Sequence, residues 1–295
     1  MVVPTTRPEG LARLREALGD LDGRIIAVDG RGIGPAAARN IGWRASTADW
    51  VCFLDDDVVP EPRWVDRLRG DLEGLPQDVA GCQGQIVVPV PMDRLPTDWE
   101  RNVRGLEDAA WATADMAYRR DVLDWVGGFD ERFRRAYRED ADLALRVMAR
   151  GFRLVRGERA VLHPVGPAGP WVSVAKQRGN ADDVLMLARH GRAWRARAAA
   201  PAGALRRHLA TTAAGALAVA ALGAGRTRLA AGPAAAWLAL TAGFAARRIG
   251  PGPADRREVG TMLATSVAIP PVATGWWLVG QWRWRRPRVR RRLDG

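Results

Sequence analysis

Cysteine and histidine are scarce in this chain of 295 residues, with two of the first and three of the second. Cys52 falls in an apolar run and Cys82 in a glycine-rich stretch, a spacing that builds neither a disulfide framework nor a zinc cluster and that points to a reducing compartment. The opening residues Met1-Val2-Val3-Pro4 lack the basic stretch and long apolar core of a cleaved export signal. Acids are nearly missing from the C-terminal third: residues 191–295 hold 18 Arg against 3 acids, whereas residues 1–190 hold 27 Lys+Arg against 30 Asp+Glu. The net charge of +12 is therefore a property of the tail, which argues against nucleic-acid binding by the body of the chain. Disorder is excluded too, because 47% hydrophobic residues suffice for a sizeable core.

What is present concentrates at Trp50-Val51-Cys52-Phe53-Leu54-Asp55-Asp56-Asp57, where five apolar residues end in three carboxylates. The apolar run fits a buried strand, and its C-terminal end is where open α/β sheets bind ligands. Three adjacent acids repel one another. A site that keeps them ionised calls for a cation, and Mg2+ or Mn2+ held by one or two carboxylates plus substrate phosphates meets that need. Taken alone, the triplet is equally compatible with a polar turn that stops a strand.

Around it, α and β patterns alternate. Strands are expected at Met1–Pro4, Arg24–Val28 and Trp50–Leu54, with a strand-like, glycine-rich segment from Val79 to Val90 and a short strand from Phe152 to Val155. Helices are expected at Glu9–Leu18, from Gly34-Pro35 onward, at Pro60–Leu72 and at Asp140–Arg150, the last stopped by Gly151. This defines an α/β chain.

The landmarks Val2-Val3-Pro4-Thr5, Val28-Asp29, Gly34-Pro35-Ala36-Ala37-Ala38-Arg39-Asn40, Phe53-Leu54-Asp55-Asp56-Asp57, Gly127-Gly128-Phe129-Asp130-Glu131 and Glu139-Asp140-Ala141-Asp142-Leu143 occur in an order that resembles family 2 glycosyltransferases. The resemblance covers residues 1–190. It implies the type A nucleotide-sugar-binding fold, a single domain with a mostly parallel central sheet flanked by helices, and inverting transfer of a sugar from a nucleotide-sugar donor to a hydroxyl acceptor. Asp57, Asp55 and His163 are then expected at a Mg2+ or Mn2+ ion, and Pro4, Asp29, Arg39, Asn40, Asp55, Asp56 and Arg178 at the donor. Asp140 is expected as the base, held ionised at a helix N-terminus, with Glu139 orienting the acceptor or the base. Trp111, Asp115 and Asp130 are expected on the acceptor side. One departure from the family falls in the donor half: about twenty residues that commonly separate the acid at Asp29 from Gly34 are missing, so the sheet is expected to be a strand short and base specificity does not carry over.

Residues 191–208 read as a basic linker, and 209–295 as a helical membrane-associated region. Apolar stretches at 209–225, 229–246 and 259–280 alternate with arginine, the last of them uncharged for 22 residues, and Trp282, Trp284 and an Arg-rich run from Arg283 to Arg292 close the chain. Such a tail suits an anionic membrane surface, with a catalytic domain facing the cytoplasm and a cell-envelope glycan or lipid-linked acceptor. Two alternatives stand beside this: a metal-dependent nucleotidyl- or phosphotransferase, and a noncatalytic sugar-binding or membrane-scaffold protein.

Overall fold

The computed structural model describes residues 1–19 and 24–284. The Arg-rich end beyond Trp284 lies outside the described residues. Two compact units emerge: Met1–Pro91 with Glu100–Pro167 and Trp194–Ala200, and Met92–Trp99 with Ala168–Ala193 and Pro201–Gly295. Residues 168–193 thus group with the C-terminal helices, while the short segment 194–200 of the expected linker groups with the first unit.

The first unit is built from β1 (Val2–Thr5), α1 (Pro8–Leu18), β2 (Ile26–Asp29), α2 (Pro35–Ala45), β3 (Trp50–Leu54), β4 (Val59–Pro60), α3 (Trp64–Leu72) and β5 (Val79–Val87). It continues through α4 (Asp98–Arg104, whose first two residues group with the second unit), β6 (Asp115–Arg119), α5 (Arg120–Val126), α6 (Glu139–Met148) and β7 (Arg153–Leu162). The strands form one sheet in the order β2-β1-β3-β6-β5-β7-β4. Proline opens both α1 and α2, where its missing N–H costs nothing.

Two expected boundaries shift for the same reason, namely strand pairing. Pro60 pairs with Val161, so α3 starts only at Trp64 and not at Pro60. The strand expected at Phe152–Val155 runs instead from Arg153 to Leu162, because its pairing with β5 resumes after a register shift and carries it past Gly157. The sheet is mixed, with β1–β2, β1–β3 and β5–β7 parallel and β3–β6, β5–β6 and β4–β7 antiparallel. Placing β6 antiparallel between β3 and β5 has a useful consequence. The C-terminal ends of β1, β2, β3, β5 and β7 and the N-terminal end of β6 all meet at one sheet edge, with Leu54 opposite Asp115 and Val87 opposite Leu162.

The core beneath that edge gathers Val2, Trp43, Phe53, Met116, Tyr118 and Leu143, all buried. Phe53 stands edge-on to Phe129 at 5.2 Å between ring centres and to Tyr118 at 6.5 Å, a geometry that adds about 0.5–1.5 kcal/mol per pair beyond the buried area.

Asp115, expected at an acceptor, lies inside this unit with no exposed surface. Its carboxylate accepts from Arg159 Nε at 2.8 Å and from Trp64 Nε1 at 2.8 Å, and Arg159 also reaches Asp71 at 2.9 Å and the Cys82 carbonyl at 2.8 Å. Burial pushes the Asp115 carboxyl up to about 6, with Arg159 opposing. An acceptor sugar cannot reach it; Asp115 ties β6 to β7 and α3. Gly84 makes room for the pair, since a Cβ there would sit 2.3 Å from Asp115 Oδ2.

The second unit holds α7 (Val172–Ala175) with a 3-10 turn at Lys176–Arg178, α8 (Gly179–His190), α10 (Leu205–Gly223), α11 (Thr227–Ile249) and α12 (Arg256–Trp284); the short α9 (Trp194–Arg197) falls in the first unit. The helices approach closely through small residues: a Cβ on Gly280 would meet Ala181 Cα at 2.8 Å, and one on Gly215 would meet the Trp237 ring at 2.9 Å. The one buried charge on α11, Arg248, donates to Asp98 at 2.8 Å, Thr265 at 2.8 Å and Ser266 at 3.0 Å. Apolar side chains point outward instead, among them Leu217, Val219, Leu229, Leu238 and Trp282. Thr227–Ile249 and Arg256–Trp284 are long and apolar enough to cross a membrane; the first of the three expected stretches, now α10, does not meet that measure.

Arg159→Leu should cost about 3–5 kcal/mol of stability, because it strands the buried Asp115 and Asp71 carboxylates. Adding Asp115→Asn should recover part of that loss. Thermal unfolding of the two variants checks both, and equal stability of Arg159→Leu and wild type would reject a buried ion pair.

Candidate active site

The acidic triplet follows β3 at the shared sheet edge, and its three side chains go to three different places. Asp55 accepts from Arg39 Nη2 at 2.8 Å. Asp56 turns inward and accepts from Thr5 Oγ1 at 2.8 Å, Thr6 N at 3.1 Å and Arg7 N at 3.3 Å, which fastens the turn between β1 and α1. Asp57, more exposed, accepts from Arg7 Nη2 at 2.9 Å, and its other oxygen lies 3.6 Å from His163 Nε2. His163 reaches this position because β7 ends at Leu162 and the His163 N–H bonds the Val87 carbonyl at 2.8 Å.

Arg39 sits at the centre of a second group. Only 2% exposed, it donates from Nη1 to Glu139 at 2.9 Å, lies 3.6 Å from Asp140, and holds Asp55 through Nη2. Buried among three protein carboxylates, Arg39 positions them. Asn40 is held by the protein's own groups as well. Its Oδ1 accepts from Trp43 Nε1 at 2.9 Å and Phe129 N at 2.8 Å, and its Nδ2 donates to Phe129 O and Glu131 Oε1, each at 2.9 Å. Every bond the amide can make is made within the protein. The Gly34–Asn40 motif and the Gly127–Glu131 motif thus clamp each other, and Gly128 is required there: its φ is +67° and a Cβ would stand 2.5 Å from Asn40 Oδ1.

That clamp delivers the chain to α6. Glu139 and Asp140 occupy its first turn, where the helix dipole favours negative charge. Asp140 accepts from Thr113 Oγ1 at 2.7 Å and Thr113 N at 3.1 Å, and its side chain keeps about a quarter of its surface exposed while that of Glu139 is 2% exposed. Burial raises both carboxyls above their ordinary range; for Glu139 the neighbouring Asp140 adds to this, and for both Arg39 opposes it. Thr113 and Arg7 were not singled out in the sequence. Thr113 stands between the expected acceptor-side residues Trp111 and Asp115, and nothing local marks Arg7, whose partners Asp56 and Asp57 are 49 and 50 residues away.

The remaining expected residues scatter. Pro4 lies on β1 opposite Val28, and Asp29 ends β2 exposed, bound by Arg31 at 2.6 Å, which holds its carboxyl down at about 2. Asp130 accepts from Arg132 at 2.7 Å and from the Arg132 N–H at 3.0 Å, so it closes a turn. Trp111, with φ +66°, packs half-buried on the core and donates its N–H to Gln83 Oε1. Arg178 belongs to the second unit, where it lies 5.8 Å over the Trp276 ring. Among the described residues no three His, Cys, Asp or Glu side chains gather as a metal cluster, so the expected set Asp57, Asp55 and His163 reduces to two. Asp57 and His163 still offer oxygen and imidazole donors suited to Mg2+ or Mn2+ when phosphates complete the shell, and a cationic guanidinium already rests on Asp57.

A mixed sheet that gathers parallel strand ends, an acidic triplet and a carboxylate-bearing helix start at one edge has the architecture of the type A glycosyltransferase fold. Residues 8–144 match the family described as glycosyl transferase family 2. A pre-mycofactocin glycosyltransferase of Mycobacterium tuberculosis (strain ATCC 25618 / H37Rv) is 33% identical over 133 residues, which are 41% of this chain and 28% of that protein. A glucosyl-dolichyl phosphate glucuronosyltransferase of Haloferax volcanii is 26% identical over 143 residues, 44% of this chain and 45% of that protein. The chain therefore matches less than half the length of these curated relatives. A mannosyltransferase from Pyrobaculum calidifontis, solved with GDP-Man and Mn2+, shares the fold at TM-score 0.54 and 18% identity, over 96% of this chain and 86% of that one.

Because Arg39 is the charge that offsets burial of Glu139 and Asp140, Arg39→Gln should move the acid limb of the pH–rate profile of sugar transfer toward higher pH by roughly 1–3. Arg39→Lys, which keeps the charge, should move it less. An acid limb unchanged in Arg39→Gln would show that neither carboxylate is coupled to Arg39.

Proposed function

We propose that the chain is an inverting glycosyltransferase, moving a sugar from a nucleotide-sugar donor to a hydroxyl acceptor with Asp140 as general base. The observation that carries this reading is the setting of Asp140: partly exposed, held by two bonds from Thr113 and 3.6 Å from Arg39, with its carboxyl raised by burial. A carboxylate fixed in this way is poised to take a proton, since a raised basicity brings it nearer to working pH. The acceptor O–H proton passes to Asp140 as the oxygen attacks the anomeric carbon and the bond to the nucleoside diphosphate breaks on the opposite face, inverting the configuration. Glu139, locked to Arg39, acts by holding the guanidinium in place and touches neither substrate. Asp57 and His163 would hold Mg2+ or Mn2+, which when bound stabilises the charge that develops on the leaving diphosphate. The Mn2+ of the Pyrobaculum relative supports this choice.

Donor contacts fall to the edge residues Pro4, Asp29 and Asp55, and acceptor contacts to the face of Trp111. A lipid-linked or cell-envelope acceptor is favoured by the outward apolar faces of α11 and α12 and by the dolichyl phosphate in the Haloferax relative's name. The catalytic domain, residues 1–190, faces the cytoplasm, where nucleotide sugars are made, and the region 209–295 attaches it to the membrane.

Asp140→Asn keeps the shape but cannot take the proton, so transfer should fall by roughly 10²–10⁴-fold with donor affinity near normal. Proton NMR of the first product should show the anomeric configuration opposite to the donor's; retention, or near-wild-type transfer by the variant, would reject the mechanism.

Full-length protein should remain in membrane pellets through a high-salt wash, because salt screens attraction between arginine and lipid but leaves buried apolar area untouched. Release by salt alone would mean that α11 and α12 lie on the membrane without entering it.

A further inference from the structure

Arg7 touches two members of the acidic triplet. Its Nη2 lies 2.9 Å from Asp57 Oδ2 and 3.3 Å from Asp56 Oδ1. The two carboxylates differ in how they are held. Asp56 also accepts from Thr5 Oγ1, Thr6 N and Arg7 N, so it stays fastened to the β1–α1 turn whatever the Arg7 side chain does. Asp57 has no such backing; its neighbours are Arg7 and, at 3.6 Å, His163. The Arg7 side chain is about half exposed, 49%, and that of Asp57 is 37% exposed, so the contact between them opens to solvent without disturbing the core.

We propose that Arg7 and a divalent cation compete for the Asp57 carboxylate, so that metal entry swings the guanidinium off Asp57 while its backbone and its contact with Asp56 remain. This rests on the assignment of Asp57 and His163 as the metal-holding pair. The chemistry is a simple exchange of partners. The guanidinium sits on Asp57 Oδ2 while Oδ1 faces His163, so it fixes the rotation of the carboxylate, and its charge repels an approaching Mg2+ or Mn2+. Its cost to metal binding is modest, because an exposed pair is weak and screened. Arg7 is thereby a positioning residue that keeps Asp56 and Asp57 from repelling each other and sets the metal concentration at which the site fills.

Mn2+ alone is the probe, titrated into full-length protein in detergent and followed by electron paramagnetic resonance of the free ion. Arg7→Gln removes the charge and should tighten Mn2+ binding about threefold to tenfold. Arg7→Lys retains the charge and should stay close to wild type, which separates loss of charge from a general disturbance of the turn. Asp57→Asn should lose the site in either background. If Arg7→Gln binds Mn2+ no more tightly while Asp57→Asn still loses it, the competition is overturned and the metal assignment stands. If Asp57→Asn binds like wild type, or no form binds Mn2+, the metal assignment fails and the competition with it.

Discussion

A single guanidinium organises the candidate site. Arg39, nearly without exposed surface, spans Asp55 at the end of β3 and Glu139 and Asp140 at the start of α6, segments separated by more than eighty residues. Three carboxylates at such range would repel one another and protonate in turn; the buried cation among them holds the strand end and the helix start at fixed distance. A buried charge is costly unless it is paired and hydrogen-bonded, and this one is paired on two sides. The arrangement therefore makes the site and the fold mutually dependent. The loop from Gly127 to Arg138 must close for the ion pairs to form, and the Asn40 clamp closes it.

The same economy recurs deeper in the sheet. Arg159 on β7 links Asp115 on β6, Asp71 on α3 and the Cys82 carbonyl on β5, so neighbouring strands are tied by charge as well as by their ladders. This explains why Asp115, adjacent to the site in sequence order, contributes to the scaffold and not to a substrate surface. Two buried arginines of the first unit divide the labour: Arg159 holds the strands together, and Arg39 holds carboxylates at the end of β3 and the start of α6. Arg7, outside both networks and half exposed, retains the freedom to change partners.

The C-terminal helices obey different rules. Close approaches at Gly215 and Gly280 and the buried Arg248 join these helices, together with buried Met262 and Ile269, while Leu217, Val219, Leu229, Leu238 and Trp282 point outward. In water that distribution would be inverted, with apolar residues inward. The pattern fits a hydrocarbon surrounding in which close packing and internal hydrogen bonds hold helices together.

The sequence by itself determined the strand Trp50–Leu54, the helix start at Pro35 and the acidic opening of α6, because local rules govern each: an apolar run, a proline in the first turn, a cap of acids. It also determined the ordered motifs from which the family was legible, and the long apolar helices of the tail. Tertiary structure alone decided what each motif residue touches. The triplet Asp55-Asp56-Asp57 reads as three like ligands in one dimension, yet its members go to Arg39, to the β1–α1 turn, and to Arg7 beside His163. Arg39 and Asn40 sit side by side in a motif suited to a donor, yet Arg39 pairs with Glu139, 100 residues away, and Asn40 bonds Phe129, 89 residues away along the chain. A motif records which residues are kept together in sequence. Which of them meets substrate and which is consumed by internal pairing depends on burial and on partners that only the folded sheet brings within bonding distance.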